Sequence, residues 1–235
     1  MIFPDGSTQV RHGVPHPTAV RHLLSAQVST QSLVSEAALL HEVGGWDETL
    51  TCWQDYELGF RLLRHAPQPA LCEQVFHRIY RTADSITGHS LSANAPGIAA
   101  ALCRLAEQVE KGVGFAFQTA PNAPEPVGFS PKTDVDASTL AQCRLALWLR
   151  VHIIAGQFCA EGASSAAASL LSATGAQSFF AGAQPFSNGM PVSAQGAQLR
   201  HVSSLDRAVA RLLMAYTSRG GRGAWRFAAL WTRLR

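Results

Sequence analysis

Charge is scarce in this chain. Of 235 residues only 15% are charged, against 47% hydrophobic. That balance excludes a disordered polyelectrolyte and leaves material for one ordinary domain with an extension. No run of about 18 uninterrupted apolar residues occurs, so no membrane-spanning helix is expected. The opening Met1-Ile2-Phe3-Pro4-Asp5-Gly6 lacks the basic and apolar regions of a secretory signal. Cys-x-x-Cys is also missing, and the five cysteines (Cys52, Cys72, Cys103, Cys143 and Cys159) are an odd number. Neither a disulfide framework nor a zinc knuckle is indicated, and a reducing cytoplasm is the simplest compartment. No internal repeat of fixed period is present. Lysine is nearly missing: of 19 basic residues, all but Lys111 and Lys132 are arginine. Arginine suits bidentate phosphate contacts, but a GC-rich genome gives the same bias, so only clustered arginines imply a phosphate surface. The net charge of +3 names no partner by itself.

What is present falls into regions. Residues 1 to about 30 carry Pro4-Asp5-Gly6, His12-Gly13 and Pro15-His16-Pro17, turns that lead into a short helix within Val20–Val28. Helices are expected over Leu33–His41, over 97–111 between Gly97 and Gly112, and over Ser138–Phe158, where Leu140, Leu145, Leu147, Trp148 and Val151 supply apolar faces. The stretch 119–137, with Pro121, Pro124, Pro126 and Pro131, reads as a linker. Between 155 and 200 Ala, Gly and Ser dominate; Glu161 is the only Asp, Glu, Lys or Arg from Val151 to Leu199, which suggests loose Ala-rich helices or poor order. Ser203 with Asp206 resembles a capping box, followed by Leu205, Val209, Leu212, Leu213 and Tyr216 at helical spacing and a stop at Gly220-Gly221. A final basic amphipathic helix spans 222–235. Phe227, Leu230, Trp231 and Leu234 share one face, and Arg222, Arg226 and Arg233 the opposite one. Such a helix either lies on an anionic membrane surface or packs on its own domain.

The stretch with chemical content is Ser32 to Thr87. A glycine turn, Val43-Gly44-Gly45-Trp46-Asp47-Glu48, precedes a helix that begins near Cys52-Trp53-Gln54-Asp55. Leu58 and Leu62 lie one turn apart on the Asp55 side, so that face turns inward and brings Asp55 to its edge. Asp55 then occupies the first turn, where exposed amides and the helix dipole favour a carboxylate. Spacing alone leaves two readings, a helix cap or a general base. After Ala66-Pro67-Gln68-Pro69 the run Ala70–Tyr80 is strand-like.

Three motifs now stand in order: Leu33-Val34 with Leu40 and Val43-Gly44-Gly45-Trp46-Asp47-Glu48-x-Leu50; Trp53-Gln54-Asp55-Tyr56-Glu57-Leu58-x-x-Arg61-Leu62; and Tyr80-Arg81-x-x-x-Ser85-Ile86-Thr87. Together they resemble the acceptor-side half of family-2 glycosyltransferases, over about a third of the chain counted from Phe3. The resemblance implies an α/β fold: a partial GT-A (Rossmann-like) domain over 1–92, then a mostly α-helical C-terminal extension over 93–235. It implies inverting transfer of a sugar from a nucleotide-sugar donor to a glycan or lipid-linked hydroxyl, in polysaccharide or cell-envelope glycan synthesis. Asp55 maps to the catalytic base. Acceptor contacts fall to Trp53, Gln54, Gly45 and Trp46, and the donor diphosphate to Arg81 and, less directly, Arg78. Glu57 receives no catalytic role. The family uses a divalent metal, Mg or Mn, held by an Asp-x-Asp motif in a nucleotide-binding half that precedes the acceptor side. That half is missing here, and Asp134-Val135-Asp136 stands downstream of the base, in the wrong order. His77 is the remaining metal candidate. The chain therefore reads as the C-terminal portion of such an enzyme, from a truncated gene, a late start codon or a split protein. A non-catalytic remnant that binds a partner or a membrane surface is the rival reading. The expected location is cytoplasmic, extending to the inner face of the cytoplasmic membrane. No nucleic-acid motif is present.

Overall fold

A computed structural model of the chain describes residues 2–10, 13–65, 69–74, 78–80, 90–110, 137–176 and 202–235. Among them run eight α-helices: α1 (Ala19–Ser25), α2 (Ala37–Glu42), α3 (Gln54–His65), α4 (Ala95–Glu110), α5 (Ala137–Ala160), α6 (Ser164–Ala173), α7 (Ser204–Ser218) and α8 (Ala224–Leu234). Single 3-10 turns at Thr30–Ser32 and Leu91–Asn94 lead toward α2 and α4.

This corrects the α/β expectation. The described residues form an all-α structure with no strand or sheet; the only β-type pairing is two isolated bridges, Ile2 with Thr8 and Ile2 with Tyr80. The physical reason lies in the run Ala70–Tyr80. A strand is stabilised by a ladder of bonds to a neighbour, and the backbone of the described part of this run pairs only with Ile2 among the described residues, through one bridge and the bond from the Ile2 amide to the Ile79 carbonyl (2.8 Å).

The long helix α5 is the axis of the structure, with α1, α4, α6, α7 and α8 all packed against it. Leu147, Leu149, Ile154 and Phe158 are fully buried, and so are Leu23, Phe60 and Leu102 on the helices around it. One apolar cluster thus joins residues from both sides of position 92. Leu58 and Leu62 of α3 instead close a smaller cluster with Val43.

Of the stretch beyond Val151, residues 151–176 are described and carry the end of α5 and the Ala-rich α6; residues 177–200 lie outside the described residues. Alanines let α6 lie close to α5 and α4, and Ala167, Leu170 and Leu171 are buried there. Glu161 has a definite place: its carboxylate accepts the amides of Leu91 (2.9 Å) and Ser92 (2.7 Å) and so caps the turn that opens α4. Partial burial opposes its ionisation, but these bonds outweigh burial and hold its pKa below the ordinary value. The expected linker at 119–137 lies outside the described residues up to Ala137, where α5 begins.

Where α5 crosses α7 the contact requires glycine. A Cβ on Gly156 would run into the Thr217 hydroxyl and come within 2.6 Å of the Met214 carbonyl. Gly156→Ala is therefore expected to lower unfolding stability by about 2 kcal/mol, read from urea denaturation. A variant as stable as the parent would mean that the helices do not meet this closely.

Candidate functional site

Helix α3 starts on an unusual residue. The Trp53 carbonyl accepts the Glu57 amide (3.1 Å), which makes Trp53 the N-cap, and it sits in the left-handed region with φ 60°. Asp55 is then the second helical residue, in the turn whose amides lack helical partners. It does not cap the helix. Its carboxylate is half-buried and has no hydrogen bond or ion pair among the described residues.

That carboxylate borders a cavity of about 190 Å³. Ser29, Thr30, Ser35 and Trp46 share its wall with Asp55, and Leu33, Leu40, Leu58 and Gly59 supply apolar lining. One ionisable residue, three hydroxyl-bearing residues and an indole that is 45% exposed border the space; the Ser29 hydroxyl also pairs with that of Ser32, and the Ser35 hydroxyl donates to the Glu36 carbonyl. Hydroxyls and a carboxylate suit a polyhydroxylated ligand, and an indole face suits the apolar side of a sugar ring.

The wall carrying Trp46 is held from below by an ion pair. Arg61 Nε and Nη2 bond both oxygens of Glu57 (2.7 and 2.6 Å), in fork geometry. The same guanidinium donates to the Val43 carbonyl and to the Gly45 carbonyl (2.6 Å), and the Gln108 amide of α4 donates to Glu57. Glu57 is fully buried and Arg61 nearly so. The turn therefore hangs on α3. Gly45 belongs there because its φ of +67° lies in the left-handed region. Asp47 ends the turn, accepting the Thr49 amide (3.0 Å) and hydroxyl (2.5 Å) and Arg104 Nε of α4 (2.8 Å). Burial opposes its ionisation, but these donors prevail and its pKa falls below the ordinary value.

The opposite wall is pinned by His22 of α1. The Val28 amide donates to Nδ1 (3.1 Å), so Nε2 carries the proton and donates to the Tyr56 carbonyl (2.8 Å). Gly59 makes room for this ring, since a Cβ there would stand 2.8 Å from it. His22 is fully buried, and that desolvation pushes its pKa down to about 4; the Tyr56 carbonyl opposes the shift, and the nearby Arg150 adds to it.

The structure thus brings Asp55 and Trp46 to one cavity, with Gly45 behind it as an anchor. It places Trp53 and Gln54 elsewhere. The Trp53 ring meets Tyr56 edge-on (5.2 Å between centroids) and lies under the Arg150 guanidinium (5.3 Å), while the Gln54 amide bonds the Leu50 carbonyl (2.7 Å). Arg78 is exposed and borders no part of this cavity. Arg81, His77, Asp134 and Asp136 lie outside the described residues. Among the described residues no three His, Cys, Asp or Glu side chains converge as a metal site would require.

Sequence reading missed Ser29, Thr30 and Ser35, which no motif marks. It also missed the structural part played by Glu57 and Arg61, although their i, i+4 spacing was a visible signal for a helix-surface pair. Compared with known proteins, the chain matches no family model, no curated protein and no solved structure.

Two outcomes follow from this scaffold. Arg61→Met leaves Glu57 buried without its cation and is expected to cost about 3–5 kcal/mol in urea denaturation; replacing both residues by leucine costs less than the single change. The idea fails if the single variant unfolds like the parent. For His22 the folded pKa is depressed, so the unfolded chain binds the extra proton first as pH falls. Its contribution is complete above pH 6.5 and disappears towards pH 4, a loss of about 3 kcal/mol. The parent should lose stability more steeply than His22→Gln across that interval, and equal slopes would rule out this role.

Proposed function

We propose that this chain supplies the acceptor side of a glycosyl transfer, with Asp55 as the base that activates a sugar hydroxyl. A single observation carries the reading: a carboxylate with no partner among the described residues, in the first turn of a helix, borders a mainly apolar cavity whose wall also includes Ser29, Thr30, Ser35 and an accessible indole. The resemblance of the motifs around Asp55 to family-2 glycosyltransferases supports it.

In the reaction the acceptor oxygen attacks the anomeric carbon of a nucleotide-sugar. The new C–O bond forms as the bond to the diphosphate oxygen breaks, and the acceptor proton passes to Asp55. The electron pair of the broken bond leaves with the nucleoside diphosphate, and the anomeric configuration inverts. Trp46 would hold the acceptor ring face-on, and Ser29, Thr30 and Ser35 would orient its other hydroxyls. The apolar lining limits water around the base, which lowers the competing loss of donor to hydrolysis.

Base and binding wall separate experimentally. In a protein that joins this chain to a donor-binding half, Asp55→Asn keeps the shape of the cavity and is expected to lower transfer about a thousandfold, as loss of a general base does, with glycan binding nearly unchanged by titration calorimetry. Trp46→Ala is expected to weaken glycan binding itself. Undiminished turnover in Asp55→Asn removes Asp55 from the chemistry, and absence of glycan binding by the parent chain removes the acceptor site.

A further inference from the structure

Helix α8 is packed the wrong way round for a helix whose only task is to complete a core. Its inward positions are small: Ala224, Ala228 and Thr232 are 3%, 0% and 2% exposed. Its large apolar residues point out, with Phe227 65%, Leu230 57% and Leu234 70% exposed. Trp231 is the exception. It is half-buried, and its indole donates to Asp206 of α7 (2.8 Å), which also receives Arg235. The sequence expectation of one apolar face opposite an arginine face therefore resolves into three sides. One is a small-residue side on the core, one is a large apolar stripe facing solvent, and one carries Arg226 and Arg233 beside that stripe.

α7 exposes a second set of large apolar residues, although Leu213 and Met214 turn inward. Asp206, Ala210, Leu213, Met214 and Thr217 face inward, while Leu212 is 70% and Tyr216 45% exposed. The Tyr216 hydroxyl donates to the Arg222 carbonyl just before α8 (2.9 Å), so this stripe borders the seam between the two helices. Phe227 and Leu234 flank Trp231 on the other side of that seam. The two stripes lie on adjacent helices that are tied together at Asp206 and at Tyr216.

Charge names the occupant. From Arg207 to Arg235 the sequence has arginines at 207, 211, 219, 222, 226, 233 and 235 and no acidic residue. Arg235 is held by Asp206; the other six make no ion pair among the described residues. A second copy on the same face would set like charges against each other. Exposed apolar residues bordered by guanidinium groups that make no ion pair among the described residues instead match the boundary of a bilayer rich in anionic headgroups. No helix among the described residues is long and apolar enough to cross a membrane, so contact would be with the surface.

We propose that the α7–α8 face docks on the surface of an anionic lipid bilayer, with Leu212, Phe227, Leu230 and Leu234 entering the headgroup boundary and the arginines pairing with phosphates. This docking is independent of the chemistry at Asp55.

Vesicle flotation with the whole chain tests it. The chain should float with vesicles of phosphatidylcholine and phosphatidylglycerol, and not with phosphatidylcholine alone, and added salt should release it. Joint replacement of Phe227, Leu230 and Leu234 by Ser should weaken binding about a hundredfold. Arg226→Gln with Arg233→Gln should weaken it about tenfold. These side chains are exposed, so both variants should keep the parent melting temperature. Failure of the parent to float with anionic vesicles overturns the proposal, as does equal flotation of the parent and the triple variant. Concentration-dependent dimerisation without lipid, abolished by the triple variant, would assign the face to a second copy and overturn it too.

Discussion

The buried pair Glu57–Arg61 is the constraint on which the candidate site depends. A carboxylate with no exposed surface is costly unless its partner is close and its lone pairs are filled. Here the fork from Arg61 fills both oxygens and Gln108 adds a further bond. The guanidinium then has donors left over, and these can only be satisfied by carbonyls brought to it. The Val43 and Gly45 carbonyls meet that demand, which fixes the turn in one conformation. The pair therefore does more than join two positions of α3. Through Gln108 it reaches α4, and through the turn it sets where Trp46 stands. The Asp47–Arg104 bridge makes a second tie between the same turn and the same helix, so the wall is held at both ends.

His22 answers this arrangement from the other side of the cavity. Both its ring nitrogens are used, one accepting from Val28 and one donating to Tyr56, which only the neutral ring can do. α1 is thereby bound to α3 at the point where the chain leaves for Ser29 and Thr30. Two polar devices, one ionic and one neutral, hold the two walls around Asp55. Neither contributes an atom to the cavity lining.

What the sequence made legible follows from how local each signal is. The helices were readable because apolar spacing and caps act within a few residues: α3, α4, α5, α7 and α8 lie close to where periodicity puts them. Ser203 caps α7 as its spacing suggests, by accepting the Asp206 amide (3.1 Å). The α/β expectation was carried by a resemblance and by one strand-like run, and pairing cannot be read from a strand without its neighbour. In the site, Asp55 and Trp46 were legible because the motif that names them is continuous. Ser29, Thr30 and Ser35 were not, because tertiary packing of α1 on α3 brings them there. Trp53 was expected at the ligand. Its left-handed backbone sends the ring toward Tyr56 and Arg150 instead, a direction that no spacing rule encodes.

α5 and α8 show the limit of periodicity from opposite sides. α5 is buried on nearly every face, so its apolar residues have no preferred side, and its sequence could not say which helices surround it. α8 has a clear apolar stripe, but the stripe does not mark the face that packs. Size decided the orientation: Gly156, Ala210, Ala224 and Ala228 bring α7 and α8 close to α5, and phenylalanine or leucine at those places would hold the helices apart. Once small residues take the inward positions, the large ones must face out, and the bonds from Trp231 and Arg235 to Asp206 keep α8 from rolling to hide them. An exposed stripe fixed in that way is a property of the fold rather than an accident of one loose helix.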